Sequence, residues 1–369
     1  GGIGKVWINQ SVSTLAAQGL SLYTGTTTQT PNASVASKWP SEAESYARTA
    51  YVLGIQLDLG SSANVPSFNF EITGFRAYTY AGVQDGNPAD ILYDYITDQQ
   101  FGLDPGATYL DAASLATYRT YCAAQNLLIS PYINQQEQAV SAIQRWAQLT
   151  NTWIFWSGDV VKFVPLGDDT VTANGATYVP NLTPTYALTL DNFVFDAKSE
   201  DPVTVQRTDP SDGFNSVELD IADRTQDYNT IPLFWKDDPS INLYGALAGN
   251  IISASEVCDP AIGQTMATLI GQRAVYIRNT YTFKLGYNFV LLEPGDIVTI
   301  TEPNLGLTNF PVRIQSVTED DKQILTFIAE ELPDGVGTYV AVPSGINAAS
   351  NPPDFFADPG DVNPPLLWE

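Results

Sequence analysis

The spacing of apolar and polar residues predicts three helices in succession between positions 87 and 150. The first follows Asn87, a suitable N-cap, and Pro88, which fits a first helical turn. The second begins at Asp111, and the third at Asn134, where Glu137 three residues later completes a capping box. Their apolar faces are Ile91, Leu92, Tyr95 and Ile96; then Leu115, Tyr118 and Cys122; then Val140, Ile143, Ala147 and Thr150.

A β-hairpin is predicted directly after these helices. Its strands are TWIFW from Thr152 and VVKFV from Val160, joined by a turn at Ser157, Gly158 and Asp159. Three helices and a hairpin predict a compact α+β unit at 86–165. A fourth helix is predicted at 259–272, capped by Asp259 and opened by Pro260, with Ile262, Met266, Leu269 and Ile270 on its apolar face.

The remaining chain is predicted to be mainly β-structure, because short apolar stretches are separated by Gly, Ser, Thr and Asn. Segment 1–85 is β-rich, with a polar loop at 21–37 and a short helix at 41–50. Segment 166–345 is β-rich around the fourth helix, and the Pro- and Asp-rich segment 346–369 is predicted to be a linker to further domains. Expected strands are 6–8, 51–59, 68–72, 75–80, 187–195, 214–222, 281–285, 297–301, 312–317 and 324–329.

Composition and charge exclude several classes of function. The chain has 369 residues, 41 acidic against 16 basic side chains, and a formal net charge of −25. Such a surface repels phosphate backbones and anionic membranes, so stable binding of nucleic acid is not expected. No apolar run reaches the roughly 18 residues of a membrane span, so stable membrane insertion is not expected either.

The absence of histidine removes His-dependent catalysis and His-ligated metals. Cys122 and Cys258 lie far apart in the sequence, which excludes a thiol pair of the CxxC type and favours buried, unreactive thiols. No nucleotide-binding glycine motif is present. We therefore predict no enzyme, and no catalytic, cofactor-binding or metal-binding residue.

Acidic pairs are the main alternative to that conclusion. Glycosidases need two carboxylates in a cleft, and sugars stack on aromatic rings, but adjacent acids are more often solvated charges. The acidic stretch between 209 and 227 lacks the EF-hand spacing, which favours ordinary turns over calcium binding. The residues concerned are Asp168 with Asp169, Asp237 with Asp238, Asp320 with Asp321, Glu330 with Glu331, Trp235, Trp153, Trp156 and Asp159, and the set Asp209, Asp212, Asp220, Asp223 and Asp227.

Five segments in a fixed order resemble the central hub, or tip attachment, proteins of bacteriophage tails, including those of lambda type and of gene transfer agents. They are YARTAYVLGIQLDLGSSANVPSFNFEITG from Tyr46, NPADILYDYITDQQFGLD from Asn87, WIFWSGDVVKFVP from Trp153, FNSVELDIADRTQDYN from Phe214 and LEPGDIVTITEPNLGLTNFPVRIQSV from Leu292. Together they span about residues 45–330. One departure is Thr49, which follows Arg48 where the family commonly has glycine, and residues 1–45 match no part of the pattern.

The resemblance implies a multidomain hub with β-barrel-like tube domains, formed in part by 1–85 and by 166–345, and an inserted or adjoining helical unit. It implies a homotrimeric ring at the virion tail tip, assembled in the bacterial cytoplasm. The implied partners are the distal tail or tail tube ring, the tape measure protein and receptor-binding or fibre proteins. DNA would pass through the lumen during genome ejection without being bound. The alternative is a carbohydrate-active enzyme or sugar-binding adhesin module that uses acidic and aromatic pairs.

Overall fold

The computed structural model describes residues 2–9, 11–55, 57, 65–74, 84–99, 102–103, 106–195, 201–209 and 213–339. These residues form a mixed α+β structure with several sheets. The strands are β1 (Gly2–Ile8), β2 (Ser11–Ser13), β3 (Leu20–Thr24), β4 (Ala50–Gly54), β5 (Phe68–Thr73), β6 (Thr152–Ser157), β7 (Val160–Pro165), β8 (Val171–Ala173), β9 (Ala176–Tyr178), β10 (Tyr186–Leu188), β11 (Val203–Arg207), β12 (Ser216–Asp223), β13 (Asn229–Lys236), β14 (Ile252–Ala254), β15 (Asn279–Leu285), β16 (Ile297–Glu302), β17 (Leu307–Glu319) and β18 (Leu325–Glu331). The helices are α1 (Ala33–Lys38), α2 (Pro88–Thr97), α3 (Ala112–Gln125), α4 (Ala139–Leu149), α5 (Asp238–Tyr244) and α6 (Pro260–Tyr276).

Two hydrophobic cores organise these elements. The first joins α2, α3, α4 and the β6–β7 hairpin to α6 and the small sheet β13-β12-β14. Its largest fully buried side chain is Trp146, which meets Tyr95 edge to face at a centroid distance of 5.3 Å. The second core lies inside the six-stranded sheet and stacks Phe283 on Phe327 at 5.6 Å. Along the chain, residues 89–178 contribute to the first core, 188–203 to the second, 219–269 again to the first, and 281–329 to the second.

The large sheet has the order β10-β16-β17-β18-β15-β11. Its two edge strands are successive in the chain, and residues from both, Leu188 and Val203, enter the same core. Between them, Val194 N donates to Lys284 O at 2.8 Å, so the connecting segment lies against β15. The sheet therefore curves around its core.

The expected barrel does not close in the part of the chain that the structure describes. β10 pairs in parallel with β16, whereas β11 pairs antiparallel with β15, and neither pairs with the other. The predicted strand 187–195 is interrupted for a local reason. Asn192 Oδ1 accepts a hydrogen bond from Thr189 N at 2.8 Å, which turns the chain immediately after β10.

Three of the four predicted helices begin where their capping residues indicate. Asn87 accepts from Ala89 N at the start of α2, and Asp111 accepts from Ser114 N at the start of α3. Asp259 caps α6 through Ala261 N. The predicted end of the fourth helix at 272 is wrong, because α6 continues to Tyr276, where Val275 is still buried against its neighbours. The hairpin β6–β7 is confirmed in both strands.

The prediction for the third helix is wrong at its start. α4 begins at Ala139, and Glu137 does not form a capping box but binds Arg145 Nη1 at 3.0 Å. The buried face is also shifted, since Val140 is exposed. The side chains that pack inward are Ala142, Trp146, Ala147 and Leu149.

The described part of the N-terminal segment is β-rich, as predicted, but the α-helix found there lies elsewhere. α1 begins inside the predicted polar loop, where Asn32 accepts from Ser34 N and Val35 N. The short helix expected at 41–50 is wrong, because those residues form turns that lead into β4. The predicted strand 75–80 and the linker 346–369 lie outside the described residues, as does part of 51–59.

Candidate functional site

A buried polar junction joins the helical unit to the six-stranded sheet. At its centre, the Asp168 carboxylate accepts hydrogen bonds from Val336 N at 2.7 Å, Gly337 N at 2.8 Å and Thr338 Oγ1 at 2.7 Å. Asp168 is buried, and hydrogen bonds to an ionised acceptor are stronger than neutral ones. The residues after β18 are therefore held on the segment that follows β7.

Gly337 is required at this junction by close packing. A Cβ atom on Gly337 would lie 2.0 Å from Leu166 O, well inside any allowed contact. The same glycine offers its carbonyl oxygen to Asn151 Nδ2 at 3.3 Å. Only the smallest residue lets the two backbone segments approach this closely.

An ion pair between buried Glu330 and the partly buried Arg273 lies on the α6 side of the same junction. Arg273 Nη2 contacts both carboxylate oxygens of Glu330, at 3.0 and 2.8 Å, and Gln315 Nε2 donates to Glu330 Oε2 at 2.9 Å. Arg313 is the cross-strand neighbour of Glu330 and is itself buried. Burial lowers the pKa of Arg313, and the charge of Glu330 opposes that shift. The junction thus carries paired charges rather than an apolar seam.

The hairpin β6–β7 adds a more exposed contact. Lys162 Nζ lies 2.5 Å from Glu293 Oε2, and Ser157 Oγ also donates to the Glu293 carboxylate. Burial opposes the charge of Glu293, but the hydrogen bonds from Lys162 and Ser157 outweigh it and lower its pKa. The hairpin is therefore tied to the loop before β16.

A second polar group connects the N-terminal sheet to β12 and β13. Glu71 accepts from Tyr228 Oη at 2.6 Å and from Lys5 N at 2.9 Å. Burial opposes its ionisation, yet these hydrogen bonds and the Lys5 charge hold the Glu71 pKa below its usual value. Lys5 Nζ also pairs with Asp227 Oδ1 at 2.8 Å, while burial and Glu71 raise the pKa of Tyr228 to about 12.

The acidic pairs considered as catalytic candidates have structural contacts. Asp237 caps α5 through Ser240 N at 3.1 Å and accepts from Tyr276 Oη at 2.8 Å. Asp320 accepts from two backbone amides of its own turn. The Glu331 carboxylate accepts from Arg278 N and Asn279 N. Each of these three carboxylates therefore holds backbone or side-chain groups in place.

The aromatic residues proposed as sugar platforms also pack on protein groups. Trp235 covers Gly271 of α6, where a Cβ atom would meet its ring at 1.9 Å. Trp153 lies under the Arg273 guanidinium at 5.7 Å from the ring centroid. Trp156 is exposed on β6, and Asp159 lies in the adjoining turn. The structure does not bring Trp235 and Trp153 to an open surface with a carboxylate pair.

The structure places the candidate metal and thiol groups apart. Asp223 caps its own turn through Thr225 N, Asp227 pairs with Lys5, and Asp212 lies outside the described residues. Within the described ranges, no group of three or more acidic or cysteine side chains is arranged to hold a metal ion. Burial raises the pKa of the Cys122 thiol strongly and that of Cys258 to about 11, so neither is a thiolate at neutral pH.

No helix in the described part of the chain is both long enough and apolar enough to cross a membrane. In sequence, residues 138–317 match a protein-family model described as "Putative phage tail protein". That match covers slightly less than half of the chain. No curated protein matches the chain in sequence.

Solved structures extend the comparison to the fold. A chain described as "Virion of native gene transfer agent (GTA) particle" is similar with a TM-score of 0.59 and 18% identity, covering 92% of this chain and 77% of that chain. A tail protein from Neisseria meningitidis MC58 is similar with a TM-score of 0.38 and 15% identity, covering 56% of this chain and 58% of that chain. The 43 kDa tail protein of prophage MuSo2 from Shewanella oneidensis is similar with a TM-score of 0.34 and 17% identity, covering 55% of this chain and 57% of that chain.

The GTA chain shares its fold with this chain over nearly all of the chain. The family match relates residues 138–317 to phage tail proteins. The resemblance to bacteriophage tail proteins is therefore confirmed at this level, and the hub identity stays a prediction. Residues that build the junction, above all Asp168 and Gly337, carry no local sequence signal, because their partners lie far away in the chain.

Proposed function

We propose that this chain is a structural hub protein at the tail tip of a phage or phage-like particle. Three copies form a ring that caps or continues the tail tube. The fold shared with a chain of a GTA virion over 92% of this chain carries the proposal. The match of residues 138–317 to phage tail proteins supports it.

The buried junction supports a mechanical rather than a chemical role. Asp168 holds the segment after the β6–β7 hairpin on the residues that follow β18, and Glu330 holds α6 on the large sheet, through several hydrogen bonds each. Breaking one partner of a buried ion pair leaves an uncompensated charge, so such contacts resist separation. A hub that transmits force between a tube and its attached modules needs the parts around its two hydrophobic cores to move as one body.

The domain assignments and partners follow from the same proposal. Segments 1–85 and 166–345 contribute tube domains, and the helical unit 86–165 adjoins them. The linker 346–369 leads towards receptor-binding or fibre modules. The ring contacts the distal tail or tail tube protein on one side, and the tape measure protein ends at its centre.

DNA crosses the ring only in transit in this proposal. A net charge of −25 on each copy repels the duplex, provided that acidic side chains line the lumen. Repulsion keeps a passing polyanion from binding the wall. A basic lumen, with all acidic residues on the outside of the assembled ring, would contradict this part of the proposal.

Labelling the chain in intact particles tests the function directly. An antibody or gold label on this chain is expected at a single point, the end of the tail distal to the capsid, in electron micrographs. A label on the tail tube protein is the control and should mark the whole tail length. Labels on the capsid or along the tube would contradict the tail-tip position.

Light scattering tests the trimer separately. The purified chain is expected to elute with three times its 40.0 kDa mass, and in a complex with the distal tail protein it should contribute three copies. Another stoichiometry in both samples would contradict the trimeric ring without bearing on the tail-tip position.

A further inference from the structure

Residues 20–54 form an extension that has no core of its own. β3 and β4 pair antiparallel, with Tyr23 opposite Tyr51, and enclose a long connection that contains α1. Every residue from 20 to 54 is described, and none is buried. We call this segment the arm. In globular proteins a segment of this length normally buries at least one apolar face.

The arm nevertheless has a defined conformation, held by local polar contacts. Gln29 accepts from Gly25 N at 2.8 Å and donates through Nε2 to Ser45 O and Tyr46 O, each at 3.0 Å. Asn32 caps α1, and its amide donates to Tyr23 Oη at 2.5 Å. A segment ordered in this way is prepared for contact, because little conformational entropy remains to be lost on binding.

The arm also presents aromatic side chains and unpaired strand edges. Tyr23 stacks on Tyr51 at 4.6 Å, and Tyr46 meets Tyr51 edge to face at 5.4 Å. Trp39 and Tyr46 are 55% and 57% exposed. Among the described residues, β3 and β4 pair only with each other. Exposed aromatic rings beside open edges are typical of protein interfaces.

The charge of the arm is compatible with contact between copies of this chain. The arm carries Lys38 and Arg48 against Glu42 and Glu44, so its formal net charge is zero, while the whole chain carries −25. Two copies of such an acidic chain repel each other over most of their surface. The arm is a stretch that can lie on a neighbouring copy without that cost. We propose that it packs on a second copy of this chain, an inference that rests on the proposed ring.

Substitution of the exposed aromatic residues tests this contact. The double variant Trp39→Ser, Tyr46→Ser is expected to raise the dissociation constant of the oligomer at least about tenfold in sedimentation velocity. The matched control is Trp156→Ser, Tyr132→Ser, which removes the same residue types at 65% and 80% exposed positions outside the arm. The control should associate like the wild type, and both variants should keep wild-type circular dichroism.

Photo-crosslinking gives a readout that does not depend on affinity. A photoreactive residue at position 46 should yield crosslinks between isotopically light and heavy copies. Association unchanged in the arm variant, equal weakening in the control, or crosslinks that stay within one copy would each overturn the inference. An unchanged oligomer would leave the proposed ring intact and assign its contacts elsewhere. A monomeric wild type would overturn the arm contact, while the labelling of particles would still decide the tail-tip position.

Discussion

At the residue scale, Asp168 shows how one carboxylate joins distant parts of the chain. Its acidic neighbour Asp169 is exposed, so the pair is divided between a structural and a solvated role. The sequence predicted solvated charge for both, and this is wrong for Asp168. The partners of Asp168 are backbone groups at 336–338, and no local pattern indicates that these residues return to it.

Replacing Asp168 with Asn should weaken the junction. An amide keeps one acceptor oxygen but turns a donor towards backbone N–H groups, so hydrogen bonds of this buried cluster are lost. We expect a loss of about 1–3 kcal/mol in the free energy of unfolding, measured by urea titration. Proteolysis near residue 337 should also become faster.

Asp169→Asn is the matched control for Asp168→Asn. It makes the same change of charge at the exposed neighbouring position and should leave stability within about 0.5 kcal/mol of the wild type. Equal effects of the two substitutions would show that charge alone, and not the hydrogen bonds of Asp168, stabilises the region.

Glu71 predicts a dependence of stability on pH. Its pKa in the folded chain lies below the usual value of 4.5, so it stabilises the protein above that pH and loses this effect as pH falls through the folded pKa. Glu71→Gln should therefore be less stable than the wild type at pH 7, and the difference should shrink between about pH 5 and 3. Thermal unfolding across this range measures it.

The exposed Glu319 on β17 provides the comparison for Glu71. Glu319→Gln makes the same substitution at this exposed position and should leave stability at pH 7 within about 0.5 kcal/mol of the wild type. A stability difference for Glu71→Gln that stays constant down to pH 3 would show that the substitution acts through packing and not through ionisation.

At the scale of elements, a capping residue predicted the start of a helix correctly where its side chain accepts a backbone N–H of the first turn. Asn87, Asp111 and Asp259 each accept a backbone N–H in the structure, because their short side chains reach the first turn. The capping box at Asn134 failed because Glu137 has a stronger partner in Arg145. α5 was not predicted, although Asp237 caps it, because a helix of seven residues leaves too little periodicity to detect.

The strands of the large sheet were predicted better than the way in which they pair. Expected strands at 281–285 and 297–301 are confirmed, since continuous apolar alternation places them in a core. Whether a sheet closes depends on hydrogen bonds between β10 and β11, and nothing in either strand specifies its neighbour. The sequence could therefore predict most elements of the large sheet but not its open edge.

Gly271 links α6 to β13 and gives a prediction at this scale. In a helix, Gly→Ala ordinarily stabilises by about 1 kcal/mol. Here a Cβ atom would lie 1.9 Å from Trp235 Cε3, so Gly271→Ala should destabilise by about 1–3 kcal/mol. Urea titration of the variant measures both the sign and the size of the effect.

A second substitution separates the clash from other causes. Trp235→Leu removes the ring that meets position 271 and should itself destabilise, because Trp235 packs on the first core. In the double variant, Gly271→Ala should cost much less than it does alone, which a double-mutant cycle records. Strictly additive effects would show that the two residues do not interact.

At the scale of the whole molecule, charge is the property that composition fixes and the fold must accommodate. Seven ion pairs join described side chains, and they lie at the N-terminal sheet, the junction and the helical unit. With only 16 basic residues in the chain, most acidic side chains have no cation to balance them. Each copy therefore enters any assembly with a large negative charge, and contact between copies works against it.

Association of the chain should for this reason strengthen as salt is added. At about 0.01 M ionic strength charges act over about 30 Å, and at about 0.15 M over about 8 Å, so salt screens the repulsion between copies. An interface through the arm, whose formal net charge is zero, loses little in return. Sedimentation velocity between these two salt concentrations should show a falling dissociation constant, and a neutral osmolyte at equal osmolality should not reproduce the change. A dissociation constant that rises with salt would show instead that ion pairs hold the copies together, and the arm would then not be the main contact.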